Sequence, residues 1–184
     1  MTTLDKILTV DDAGLIVLAE TSAEGLQECT SGLVRKVTEE GYNAIVVTTN
    51  NPSPLLMKEY VKSGIDIEKV YFIDSITRYA LGSMPKEKYE NIAFINQPGN
   101  LTDIGIELNK ALSGLNGNKA CVIIDSINAM LIYVPSQTLT KFIHFVSNKL
   151  RLLHHLGIYV SVSGSIDPLL INQLKGFTDE FIEI

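Results

Sequence analysis

Apolar positions along this chain fall into two patterns that alternate from one end to the other. The first is the short, continuous, β-branched run, which reads as a strand covered on both faces. Such runs occupy residues 15–19 (LIVLA), 44–49 (AIVVTT), 70–74 (VYFID), 92–96 (IAFIN), 120–125 (ACVIID), 158–163 (IYVSVS) and 181–184 (FIEI). The second pattern places apolar residues three and four apart, the period of an amphipathic helix. Leu26, Cys29, Leu33 and Val37 share one face of a helix predicted over 26–40, which Gly41 is placed to stop. Ser53 before Pro54 predicts a helix start, with a capping hydroxyl and a proline in the first turn; Gly64 ends it after Lys62. Leu101, Ile104, Leu108, Ala111, Leu112 and Leu115 form another stripe, closed by Gly114, Asn116 and Gly117. Pro135 breaks the chain, and 136–156 then predicts a long helix with Leu139, Phe142, Ile143, Val146, Leu150 and Leu153 inward. Asp167 and Pro168 open a short helix. Residues 77–91, with Gly82 and Pro85, have no clear period and predict a surface excursion with one helical turn.

Strands alternating with helices predict a mainly parallel sheet wrapped on both faces, an α/β three-layer α/β/α sandwich. With 184 residues and 46% hydrophobic content the chain holds one full core, and no repeat or linker divides it, so 1–184 is read as a single domain. A net charge of -6 without a basic cluster argues against a nucleic-acid partner. No apolar run is long enough to span a bilayer, and the N-terminal MTTLDKILTVDD reads as neither signal peptide nor anchor, so a cytoplasmic protein is expected. Cys29 and Cys121 then read as buried free thiols.

Ligands of a doubly wound sheet bind beyond the carboxyl ends of its strands. After the first run stand Glu20, Thr21, Ser22, Ala23, Glu24, Gly25, Leu26 and Gln27; after the second, Asn50 and Asn51; after the central one, Asp125 and Ser126. A strand, a loop of this length, a glycine and a helix resemble a Walker A element, and Val122-Ile123-Ile124-Asp125 resembles a Walker B strand. The order and spacing of the runs ending in Thr49-Asn50, Asp74 and Asp125, with Asn100-Leu101-Thr102-Asp103 and Asp179-Glu180-Phe181-Ile182, are similar to the KaiC-like branch of the RecA-like P-loop families over nearly the whole chain.

That resemblance implies a RecA-like fold, nucleotide at the first turn, and self-association into rings or dimers. The motif residues depart from it. Glu20 stands at the first glycine of GxxxxGK[ST], Gly25 keeps the second, and Leu26 and Gln27 replace the lysine and the Ser/Thr. A lysine brings charge to the β/γ oxygens and a hydroxyl holds Mg²⁺; neither is here. Asn50 and Asn51 match positions where acidic residues of KaiC-like ATPases help activate water, and an amide is no general base. Glu20, Glu24 and Glu28 crowd the loop and first helical turn, where carboxylates suit the helix dipole and repel a polyphosphate. The expectation is a pseudo-ATPase: a regulatory or scaffolding protein with no catalytic residue and no cofactor, partnered by protein or by itself. Its rival is a divergent ATPase that binds ATP and Mg²⁺ through residues not identified in the sequence.

Other motifs carry less. Val10-Asp11-Asp12 is the acidic pair of a receiver domain, but no phosphoacceptor Asp ends the second run and no Lys ends the later one. His144, His154 and His155 lack a ligand spacing, so no metal site is expected. Ser161, Ser163 and Ser165 do not form a nucleophile elbow.

Overall fold

The structure, a computed structural model, describes residues 14–184; Val10-Asp11-Asp12 lies outside the described residues. Seven strands form one sheet in which every pairing is parallel: β1 (Ile16–Thr21), β2 (Asn43–Thr48), β3 (Val70–Asp74), β4 (Ile92–Phe94), β5 (Ala120–Asp125), β6 (Leu156–Val162) and β7 (Glu180–Glu183). Their order across the sheet is β4-β3-β2-β5-β6-β1-β7. Among the described residues seven α-helices connect them: α1 (Leu26–Glu39), α2 (Ser53–Lys62), α3 (Thr77–Leu81), α4 (Leu101–Ser113), α5 (Ile127–Leu131), α6 (Ser136–Leu152) and α7 (Pro168–Phe177).

The central strands are apolar throughout because both of their faces are covered. In β5, Cys121 and Ile123 enter one core with Leu33, Val34 and Val37 of α1 and Leu56 and Tyr60 of α2. Ala120, Val122 and Ile124 enter the other, with Ile104 and Leu108 of α4, Met130 of α5, Ile143 and Val146 of α6 and Leu170 of α7. The three layers are therefore α1–α2, the sheet, and α4–α7. Each fully buried aliphatic side chain in these two cores contributes roughly 1.5–3 kcal/mol.

Local chemistry moves several predicted boundaries. The 136–156 helix stops at Leu152, because His154 takes a positive φ of 57° and Leu156 already belongs to β6. The excursion at 77–91 begins with the short helix α3, closed by Gly82 in the left-handed conformation. Ile127–Leu131, five residues of an apolar run, form a helix that the periodicity did not mark. Ser53 does not cap α2: Pro52 holds the cap position, and the Ser53 hydroxyl turns to Asp74 instead.

Candidate functional site

Strand alternation decides which groups meet at the carboxyl edge. Asp125 continues the Cys121–Ile123 side of β5, so its carboxyl turns toward α1. It is 2% exposed, hydrogen-bonded with Thr30 of α1, and close to Cys29 and Tyr60. Its Oδ1 has no hydrogen-bond partner among the described residues. Burial pushes the carboxyl up to about 6, and the Thr30 hydrogen bond acts in the opposite sense. Tyr60, stacked on Phe72 at 5.8 Å, also keeps a buried hydroxyl without a partner among the described residues. Burial raises its phenol, and the neighbouring Asp125 charge adds to that. Ser126, next along the chain from β5, accepts the Ala129 amide at 3.2 Å and caps α5.

Asp74 ends β3 two strands from Asp125, completely buried, and is saturated. Its Oδ2 accepts the Ser53 amide at 2.7 Å and the Ser53 and Thr77 hydroxyls at 2.5 Å each. Its Oδ1 accepts the Ile76 and Thr77 amides at 2.9 and 2.8 Å. One carboxylate thus fastens the starts of α2 and α3 to the sheet. Beside it, the Thr49 and Ser75 hydroxyls meet at 2.9 Å.

The turn from β1 into α1 is closed by its own groups. The Gly25 amide donates to the Ser22 carbonyl at 3.2 Å and to its hydroxyl at 3.1 Å. A Cβ on Gly25 would lie 3.0 Å from the Thr21 hydroxyl and 3.1 Å from that of Ser22, so the inside of the loop is filled by its own side chains. Leu26 packs against the α1–α2 core. The Gln27 side-chain amide donates to Glu59 of α2 at 2.5 Å.

The acids expected around this turn separate. Glu28 lies in the first turn of α1 and, with Ser22 and Gly25, lines a cavity of about 410 Å³. Glu24 is exposed. Glu20 falls on the opposite side of β1 from Thr21, away from α1, because successive strand residues point to opposite faces. The group that closes the turn is the Ser22 hydroxyl and not a glutamate.

Asn50 is exposed, and Asn51 is held in a turn by Thr48, whose hydroxyl donates to the Asn51 carbonyl at 2.7 Å. The edge therefore brings Asp125 and Ser126 beside the end of β2, where the Thr49 amide donates to the Asp125 carbonyl at 3.1 Å. The β1–α1 turn sits beyond the intervening β6. Sequence reasoning missed Thr30, Tyr60 and the Gln27–Glu59 pair, and it took Asp74 only as the end of an apolar run. A helical register that puts Thr30 one position from Cys29, on the inner face, was the available signal for the first.

Order of strands and covering helices together define a three-layer α/β domain of RecA-like fold. The chain belongs to a family of unknown function, DUF7504, whose model matches residues 13–184. Comparison with the curated proteins finds no match. Among solved structures, the KaiC-like protein PH0186 from Pyrococcus horikoshii OT3 is similar with a TM-score of 0.63 and 17% identity, over 93% of this chain and 72% of that one. The flagellar accessory protein FlaH from Methanocaldococcus jannaschii is similar with a TM-score of 0.62 and 14% identity, over 99% of this chain and 76% of that one. At such identities the likeness is one of fold. No helix among the described residues is long and apolar enough to cross a membrane.

Proposed function

We propose that this protein is a non-catalytic KaiC-like regulatory or scaffolding protein of the cytoplasm that works through protein–protein contacts, self-association included. What supports this is the closed β1–α1 turn: its Gly25 amide is bonded to Ser22, and the residue at the lysine position, Leu26, packs against the core. The ATP and Mg²⁺ that the fold family implies do not fit this donor set. The turn offers a phosphate no cation, Glu28 stands in the first helical turn, and Gln27 supplies an amide already bonded to Glu59.

A second assignment, a divergent ATP-binding protein, draws on one observation, the buried Asp125 carboxylate with its unpartnered Oδ1. Thermal unfolding with ATP, ADP and Mg²⁺ separates the two. A ligand at one hundred times its dissociation constant adds about 2.7 kcal/mol to apparent stability. The scaffold assignment expects no shift at millimolar nucleotide, and micromolar affinity would overturn it. The double substitution Leu26→Lys with Gln27→Thr restores the motif; nucleotide binding that appears only then would mark this turn as a lapsed phosphate site.

A further inference from the structure

The charge of this chain is unevenly placed. Its total is -6, yet from 126 to 178 the only acid is Asp167, against Lys141, Lys149, Arg151 and Lys175. Helix α6 contains no acidic residue at all. Between α6 and α4, on the layer opposite the β1–α1 turn, runs a groove of about 740 Å³. Gly105 and Phe142 lie along its floor, where a Cβ on Gly105 would meet nothing nearer than the Phe142 ring edge at 3.9 Å. Ile106 on α4 and Phe145 on α6 form its walls and remain 48% and 54% exposed. Lys110, Lys141 and Lys149 stand around it, the last with its ammonium 6.0 Å from the centre of the Phe145 ring. Lys110 is shared with Glu107 at 2.7 Å, whereas Lys141 and Lys149 form no ion pair among the described residues.

We infer that this groove is a docking site for an amphipathic helix of a partner protein, one with an apolar stripe flanked by carboxylates. A trough between two helices accepts the ridge of a third. At 1.5 Å per residue the stretch from Thr138 to Lys149 is about 17 Å long, three helical turns. The incoming stripe therefore has apolar residues at i, i+3, i+4 and i+7, set over Gly105 and between Ile106 and Phe145. Lys141 and Lys149 lie about 12 Å apart along α6 by the same rise, so they match carboxylates two turns apart on one flank of the ligand. A concave apolar floor favours a helix over a flat bilayer surface. This inference rests on the scaffold assignment and gives it a partner class. Because the groove is on the other layer from the nucleotide turn, the two are tested separately.

The probe is a synthetic 16-residue peptide with leucines at i, i+3, i+4 and i+7 and glutamates two turns apart, labelled for fluorescence anisotropy. Its counterpart carries lysines at the glutamate positions. The glutamate peptide is expected to bind the full chain at least about tenfold more tightly than the lysine peptide, a 1.4 kcal/mol difference. Lys141→Glu with Lys149→Glu, both surface changes, is expected to reverse that preference. Gly105→Leu is expected to block either peptide by filling the floor without altering charge, with circular dichroism confirming its fold. Equal binding of both peptides, binding unmoved by the lysine reversal, or lysine-dependent binding to phosphatidylglycerol vesicles without peptide binding overturns the inference. A nucleotide-induced thermal shift alongside normal peptide binding would instead sink the scaffold assignment alone.

Discussion

Replacing Asp125 by asparagine gives the sharpest test of how the carboxyl edge is built. The carboxyl is 2% exposed, one of its oxygens has no partner among the described residues, and burial has raised it from the ordinary 3.8 to about 6. A shift of about two units at 1.36 kcal/mol per unit makes the ionised form about 3 kcal/mol costly in the folded state. The sign follows from proton counting. Well below pH 4 the group is protonated in both states and costs nothing. From pH 4 to 6 the unfolded chain loses its proton while the folded chain keeps it, so stability falls as pH rises; the loss is complete about a unit above 6. The Asp125→Asn variant has no charge to titrate at this position and lacks this slope. Urea unfolding followed by circular dichroism, from about pH 3.5 to 8, is the assay. The stability of Asp125→Asn minus that of the parent is expected to grow in favour of the variant, by about 3 kcal/mol between the two ends of the titration. Every other titrating group cancels in the difference. A difference that is flat with pH, or that shrinks as pH rises, would refute the account of a buried, under-bonded carboxylate.

Asp74 is the opposite case, a carboxylate that is fully bonded. Asp74→Ala strands the amides of Ser53, Ile76 and Thr77 and is expected to cost about 3–5 kcal/mol in the same urea assay, far more than a surface acid. The thiols are both buried, with burial pushing Cys29 up to about 11 and raising Cys121 further. Native protein at pH 8 is therefore expected to give no rapid reaction with an aromatic disulfide reagent, and two equivalents after denaturation; fast labelling of Cys29 in the native state would contradict its packing.

The alternation of apolar runs and helical stripes determined the architecture, because a strand covered on both faces has to be apolar at every position, and a surface helix only on one stripe. Ala120–Asp125 and the 26–37 stripe were legible for that reason. The sequence also determined that Leu26 and Gln27 bring neither a cation nor a hydroxyl to the first turn. Only the tertiary structure decided how the turn is filled. Loop conformation brings Ser22 onto the Gly25 amide, and strand parity sends Glu20 to the far face. The Gln27–Glu59 contact joins residues 32 apart, and no local pattern encodes it. Asp74 and Asp125 look alike in sequence, each an acid closing an apolar run. The first is saturated because hydrogen-bond donors from α2 and α3 converge on it; the second is only partly bonded, because the packed side of α1 brings it Thr30.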